Sequence, residues 1–167
     1  MSAGTLAGGT LPDGTAYVVR RAESDEDRAA CFLVRKEVFV QEQGVPEDLE
    51  YDALDAEAAH VLALAEDGTP LGAGRLLHGE AAWEPTGHTA GAGSLGRLAV
   101  RGAARGGGVG AALVTGIERL AAGLGLTSVD LHAQTHALGF YERLGYVAYG
   151  GTYLEAGIKH RAMRKAV

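Results

Sequence analysis

The sequence predicts a single α/β domain in which a central mixed β-sheet carries helices on both faces. Its 167 residues suit one ordinary domain that can bury its own core. A content of 47% hydrophobic and 22% charged residues is typical of folded globular chains. Strand-like and helix-like periodicities follow one another in the order β-α-(α)-β-β-β-α-β-α-β-β. Such an order predicts a mixed sheet that is covered on both sides.

The first elements follow from local signals. A glycine-rich start predicts a disordered leader over residues 1–14, so that the domain would span 15–167. Tyr17–Arg21 is rich in β-branched and aromatic side chains, which predicts the first strand. Ser24 predicts the N-cap of a helix, because three acidic residues follow it in the first turn, and the helix should end near Gly44.

The later elements show the same two periodicities. Asp67–Gly68 is a two-residue hairpin turn between two apolar runs. In chain order, the elements predicted after the first helix are strands over 60–65, 71–77 and 95–100, a helix over 113–124, a strand over 129–134, a short helix over 137–144, and strands over 146–150 and 157–164.

The composition excludes several classes of partner. A balance of 15 basic against 21 acidic residues disfavours a nucleic-acid partner, which usually requires a basic surface. Cys31 is the only cysteine, so an internal disulfide or a multi-cysteine metal site is excluded, and the histidines show no ligand spacing for a metal. Neither a signal peptide nor a membrane-spanning run is present in the sequence. We therefore expect a cytoplasmic location, no metal and no membrane partner.

The charges are unevenly distributed along the chain. Ten carboxylates and no Lys or Arg lie between Glu37 and Gly74. From Pro85 to Ile117 the chain has three arginines and no acidic residue. The acidic block is either a solvated surface or a region that attracts a cationic substrate, and the arginine stretch favours an anion.

A glycine-rich turn, Arg105–Gly110, lies between a predicted strand and the strongly periodic helix. Glycine can adopt positive φ and lets backbone N–H groups approach an anion closely. A helix that follows such a turn adds unpaired N–H groups and a partial positive charge. The turn therefore predicts a site for a diphosphate or triphosphate group. A P-loop would need a Lys after Gly108, where this chain has Val109. A dinucleotide-binding fingerprint would follow the first strand, whereas this turn follows a later one, so neither nucleotide-binding motif is present at this turn.

Two motifs together resemble a known family. Leu98-Ala99-Val100 followed by Arg105-x-x-Gly108-x-Gly110 resembles the acyl-CoA motif of the GNAT superfamily of N-acyltransferases. The segment from Gln134 to Tyr146 is similar to the second signature of that superfamily. The resemblance covers about residues 16–165. Three shorter segments also resemble the bacterial ElaA-like branch: Phe39-Val40-x-Glu42-Gln43-x-Val45-Pro46, His132-Ala133-Gln134, and Glu155-Ala156-Gly157-Ile158-x-His160.

The resemblance implies a set of cofactor contacts. The strand before the turn would offer backbone groups to the pantetheine arm of an acyl-CoA, as an added strand would. The turn would hold the pyrophosphate, and Arg143 would meet a cofactor phosphate. Gln134 stands where the superfamily often has Asn. The implied cofactor-binding residues are Leu98, Ala99, Val100, Arg105, Gly106, Gly107, Gly108, Val109, Gly110, Gln134, Phe140, Tyr141 and Arg143.

Acyl transfer from a thioester to an amine needs an acid for the departing thiolate and a base for the amine. The resemblance assigns the acid to Tyr141. The base is left between His132, which shares a strand face with Gln134, and Glu42, beside the break of the first helix; a chain of waters could replace either.

The predicted activity is transfer of an acetyl or short acyl group from acyl-CoA to a primary amine of a small molecule, directly within a ternary complex. The acidic block favours a cationic acceptor. The alternative is a CoA-binding sensor or regulatory domain without catalysis. The protein is expected to be a monomer or a homodimer.

Overall fold

The computed structural model describes residues 4–167, which form a single eight-stranded sheet with helices packed against it. The order of the strands across the sheet is β1-β2-β3-β4-β5-β6-β8-β7. Among these pairs only β5–β6 is parallel. The strands are β1 Thr5–Thr10, β2 Ala16–Arg21, β3 Ala59–Ala65, β4 Pro70–Leu77, β5 Ala92–Val100, β6 Ser128–Gln134, β7 Val147–Glu155 and β8 Ile158–Ala166.

The α-helices are of unequal length. Helix α1 is followed directly by a π-helical segment, Lys36–Glu42, and single 3₁₀ turns occupy several connections. The α-helices are α1 Asp25–Arg35, α2 Glu47–Glu50, α3 Val109–Gly123 and α4 Leu138–Arg143; the 3₁₀ turns are Ala53–Ala56, Gly79–Ala82, Gly102–Ala104 and Thr135–Ala137. Within the described residues, no helix is both long and apolar enough to cross a membrane.

The structure corrects the expected leader. Residues 5–10 form strand β1, which pairs antiparallel with β2 at the edge of the sheet. Leu6 packs against the same core as α3, and its carbonyl accepts a hydrogen bond from Arg119. The glycines of this strand pass close to β2: a Cβ at Gly8 would lie 2.9 Å from the Tyr17 carbonyl oxygen. Small residues here therefore serve close strand packing, whereas the sequence analysis attributed them to disorder. Residues 1–3 lie outside the described part.

Two apolar layers confirm the predicted fold class. On one face, Leu113 and Ile117 of α3 pack with Val19 and Val61 of the sheet. On the other face, Cys31 and neighbouring residues of α1 pack against Leu62, Ala73 and Ala99. Successive side chains of a strand point to opposite faces, so Val61 and Leu62 contribute to different layers. The sheet is thus mixed and carries helices on both faces, as predicted.

Strands β5 and β6 separate part-way along their length. Their parallel pairing runs from Ala92↔Ser128 to Leu95↔Leu131 and then stops. Beyond that point β5 continues beside β4 alone, and β6 continues beside β8 alone. A register shift in the β4–β5 pair falls at the same place, and Arg97 has a φ of 53°, in the left-handed region. The bulge bends β5 away from β6 and opens a cleft between them.

Candidate functional site

A cavity of about 1010 Å³ lies where β5 and β6 part. Leu98 and Val100 of β5 line one side, and His132 and Gln134 of β6 line the other. Tyr141 of α4 contributes to the same cavity. A split between two strands exposes backbone groups of β5 that a continuous sheet would pair, so a chain-like ligand could bind there as an added strand does.

The glycine-rich turn leads from β5 to α3 and reaches this cavity at Gly110. Gly106 and Gly108 have φ of +88° and +75°, a conformation that favours glycine. No acceptor among the described residues takes the N–H groups of Gly106, Gly107 or Gly108. Helix α3 begins at Val109 without a side-chain cap, which leaves the N–H groups of its first turn without intrahelical partners. These N–H groups and the helix dipole fit an anionic phosphate group.

Two packing contacts hold the turn against its surroundings. The Tyr17 hydroxyl donates a hydrogen bond of 3.0 Å to the Gly107 carbonyl. A Cβ at Gly110 would lie 3.3 Å from Cζ of Phe140, so the start of α3 packs closely on α4. The turn and the α4 residues are therefore held in one arrangement by direct contact.

The guanidinium of Arg105 is already hydrogen-bonded to other residues of the protein. Its Nη2 donates to Oε1 of Glu42 at 2.9 Å, and its Nε donates to the Val100 carbonyl at 3.1 Å. The side chain of Arg105 is half exposed, so the pair lies at the protein surface. Glu42 does not line the cavity. The structure thus places Glu42 beside the candidate phosphate turn and apart from the other candidate base, His132.

Tyr141 is held rigidly in the cavity wall. It is 8% exposed and packs edge-on against Phe140 and Tyr146, with ring centroids 4.9 and 5.9 Å away. Burial raises the pKa of the Tyr141 hydroxyl to about 12. The phenol therefore keeps its proton at neutral pH, which is the state that a general acid requires.

Gln134 joins the two walls of the cavity. Its Nε2 donates a hydrogen bond of 3.3 Å to Oε1 of Gln43. Gln43 directly follows the π-helical segment. The Oε1 of Gln134 lies 2.6 Å from Nε2 of His136. Arg143, by contrast, is exposed on α4, and its guanidinium lies near Gly139. Of these two predicted cofactor contacts, the structure brings only Gln134 into the cavity lining.

The chain matches a known protein family over most of its length. The family model for the acetyltransferase (GNAT) domain matches residues 20–167. The chain belongs to the GNAT acetyltransferase family. The N-acetyltransferase YjcF of Bacillus subtilis (strain 168), described as uncharacterized, is 38% identical over 146 residues, which cover 86% of this chain and 96% of that one.

Two solved structures extend the match to three dimensions. An acyl-CoA N-acyltransferase from Pseudomonas aeruginosa is 34% identical, with a TM-score of 0.74 and coverage of 92% of this chain and 100% of that chain. The crystal structure of Escherichia coli ElaA has a TM-score of 0.74 at 24% identity, with coverage of 90% and 99%. The predicted family is confirmed, and ElaA shares its fold.

The structure corrects the reading of the charged segments in this GNAT domain. The arginine stretch pairs with the acidic block across the fold, so neither is a free charged region. Six of the ten carboxylates form salt bridges, namely Glu37, Glu42, Glu47, Glu50, Asp52 and Asp55. The three arginines of the stretch take part as Arg97–Asp52 at 3.3 Å, Arg101–Glu37 at 2.8 Å and Arg105–Glu42 at 2.9 Å. The charge argument for a cationic acceptor is therefore weakened.

A buried ion network forms the floor of the cavity, and the sequence analysis missed it. Arg35 is 1% exposed and bonds Glu50 at 2.7 Å and Asp55 at 2.8 Å. Arg75 bonds Asp55 and Asp52, each at 2.8 Å. Although burial alone raises a carboxyl pKa, hydrogen bonds from both arginines lower the pKa of Asp55 to about 2. Four members of the network reach the cavity, namely Glu50, Asp52, Arg75 and Arg97.

A second set of missed residues comes from the last hairpin. Tyr153 and Glu155 of β7 and His160 of β8 line the cavity. His160 pairs across the sheet with Gln134 on one side and Tyr153 on the other. The sequence signal for Glu155 and His160 was the motif that contains both, which carried no chemical role by itself, and Tyr153 lies outside that motif. Within residues 4–167, no cluster of His, Cys, Asp and Glu is arranged to hold a metal ion.

Proposed function

We propose that this GNAT domain transfers an acetyl or short acyl group from acyl-CoA to a primary amine of a small molecule, directly within a ternary complex. The observation that carries the proposal is the cleft between β5 and β6, whose walls bring Gly110 of the phosphate turn and Tyr141 into one cavity. Family membership supports the acyl-CoA donor. The kind of acceptor amine is inferred from the lining of the cavity.

The cleft has the parts that the donor requires. The N–H groups of Gly106–Gly108 and of the first turn of α3 suit the pyrophosphate. The residues of β5 beyond Leu95 have no partner strand on the β6 side and suit the amides of the pantetheine arm. When bound, acyl-CoA would supply an activated thioester, and Tyr141, which lines the cavity, would donate a proton to the departing thiolate.

Direct transfer is favoured over an acyl-cysteine route. Cys31 is fully buried on the face of α1 that packs against the sheet, and its Sγ lies 3.4 Å from the Val61 carbonyl oxygen. Burial raises the pKa of the thiol to about 12, so the reactive thiolate is scarce at neutral pH. Cys31 does not line the cavity. The only cysteine of the chain thus lacks both access and activation.

The acceptor half of the cavity suits a compact amine with both polar and apolar groups. Leu49, Leu54 and Leu77 provide apolar surface there, and His132 and Tyr153 provide polar groups. The acidic side chains of the floor already pair with arginines. We therefore propose an acceptor that is selected by shape and hydrogen bonding more than by net positive charge.

The test is a screen of acyl-CoA consumption. Acetyl-CoA and longer acyl-CoAs are combined with a panel of neutral, acidic and polycationic primary amines, and free CoA thiol is measured. We expect amine-dependent release of CoA, with short acyl groups preferred and rates that depend only weakly on salt. CoA binding without turnover across the panel would instead favour the sensor.

The phosphate turn provides a sharper test of the binding site. Val at position 108 is forced into the φ of +75° that Gly108 adopts, and its side chain blocks the N–H groups. We expect Gly108→Val to reduce CoA affinity at least ~100-fold, as measured by calorimetry, because several charge-assisted hydrogen bonds to phosphate are lost.

A matched control separates this loss from backbone strain. Gly125, at the other end of α3, has a φ of +84° and nothing within 4 Å of its Cβ position. Gly125→Val should therefore carry a similar strain, roughly 1–2 kcal/mol of stability, with unchanged CoA affinity. Equal affinities in the two variants would refute the phosphate assignment.

A further inference from the structure

Two histidines on neighbouring strands line the acceptor half of the cavity, and their ring nitrogens are used differently. His132 of β6 has both nitrogens engaged. Its Nε2 lies 2.8 Å from the Pro85 carbonyl oxygen, which can only accept a hydrogen bond, so Nε2 carries the proton. Its Nδ1 is hydrogen-bonded to the Tyr153 hydroxyl. The lone pair of neutral His132 is therefore already used by a phenol that donates to it.

Tyr153 is a reliable donor in this pair. Burial, followed by the negative charges of Glu155 and Asp130, raises the pKa of the Tyr153 hydroxyl to about 12. The phenol thus stays protonated and keeps the His132 lone pair occupied. Both ring nitrogens of neutral His132 are therefore hydrogen-bonded, and an acceptor amine could reach its lone pair only by displacing the Tyr153 hydroxyl.

His160 of β8 presents the opposite arrangement. Its Nδ1 lies 2.7 Å from the Ile158 carbonyl oxygen, so Nδ1 carries the proton and Nε2 has the lone pair. No hydrogen-bond partner for Nε2 is present within residues 4–167. His160 lines the cavity, and its Nε2 is not among the fully buried unpartnered side-chain atoms of this part of the chain.

The ring of His160 is also fixed in place. It is 9% exposed and stacks on Tyr153, with centroids 5.8 Å apart and planes 25° from parallel. Glu155 Oε2 lies 3.9 Å from Nε2, too far for a hydrogen bond. An orienting carbonyl and a free lone pair suit a histidine general base. His132 also has an orienting carbonyl, and Asp130 Oδ1 lies 3.5 Å from its Nε2, but its lone pair is already hydrogen-bonded.

We propose that His160, through Nε2, is the general base that accepts the proton of the acceptor amine. This inference rests on the proposed acyl transfer. The amine nitrogen forms the C–N bond with the thioester carbonyl carbon, and His160 takes the proton that the nitrogen then carries. The C–S bond breaks, and the thiolate receives a proton from Tyr141. His160 returns its proton to solvent, and solvent reprotonates Tyr141, so that an amide and CoA thiol are the net products.

The first test needs no turnover. The ¹⁵N chemical shifts of the histidine rings report which nitrogen is protonated in the neutral form. We expect the Nδ1–H tautomer for His160 and the Nε2–H tautomer for His132, assigned with single His→Asn variants. An Nε2–H tautomer at His160 would leave no lone pair towards the cavity and would overturn the proposal.

The second test uses chemical rescue with the best acceptor from the amine screen. His160→Ala should lower kcat by about 10²-fold or more, and added imidazole should restore part of the loss because it can occupy the vacated position. The matched variant His132→Ala should show no rescue, whatever the size of its own loss. His160→Asn keeps a donor for the Ile158 carbonyl and should show the same drop with unchanged CoA affinity.

The outcomes distinguish a failure of the His160 assignment from a failure of the proposed acyl transfer. Three outcomes would overturn the role of His160 and leave acyl transfer standing. They are a wild-type kcat in His160→Asn, a drop in His160→Ala that imidazole does not restore, and rescue of His132→Ala alone. Absence of turnover by the wild type across the amine panel would instead refute the proposed function, and this assignment with it.

Discussion

Replacing Tyr141 by Phe is expected to lower kcat by roughly 10²–10⁴-fold, the usual contribution of a general acid, with CoA affinity close to that of the wild type. The Phe ring can keep the edge-on contacts with Phe140 and Tyr146, so the change removes one hydroxyl and little packing. Because the proton is donated as the thiolate departs, the loss falls on the transition state and appears in kcat. The measurement is acyl transfer at saturating substrates, with CoA affinity determined in parallel.

A neighbouring tyrosine provides the control. Tyr146 is buried as well, but its hydroxyl donates to Glu118 at 2.9 Å and it does not line the cavity. Tyr146→Phe should therefore reduce stability through the lost hydrogen bond and leave kcat unchanged. Equal kcat values for Tyr141→Phe and the wild type would remove Tyr141 from the mechanism.

Replacing Arg35 by Met is expected to destabilise the fold by about 3–5 kcal/mol, a large share of the stability of an ordinary domain. Arg35 bonds both Glu50 and Asp55, and all three side chains are at least 90% buried. Met retains much of the aliphatic volume but leaves buried Glu50 with only the 3.5 Å contact to Arg97, and Asp55 with Arg75 alone. The measurement is the free energy of unfolding in urea at neutral pH.

Two comparisons make this prediction specific to the buried charges. Arg28, on the same helix, pairs with a fully exposed Asp25, so Arg28→Met should change stability little. Adding Glu50→Gln and Asp55→Asn to Arg35→Met should recover part of the loss, because the uncompensated charges are then removed. A triple variant less stable than Arg35→Met would show that packing or hydrogen bonding outweighs charge in this network.

The elements that were predicted well are those whose signals are local. The hairpin around Asp67–Gly68 connects β3 and β4, and α3 begins directly after the Arg105–Gly108 turn. Turn chemistry and periodicity depend on residues within a few positions of one another, so a sequence displays them. Strand β1 was missed because its glycines satisfy a contact with β2, which no local pattern shows.

By itself, the sequence determined the family, and it predicted the candidate phosphate turn and the candidate acid Tyr141, since each depends on short motifs along this chain. Only the tertiary structure decided which charges meet: Arg101 and Glu37 are 64 positions apart, and Arg105 and Glu42 are 63 apart. It also decided which histidine has a free lone pair, because the Pro85 carbonyl that engages His132 lies 47 positions away. Pairing and hydrogen bonding depend on distances in space, and separation along the chain does not reveal them.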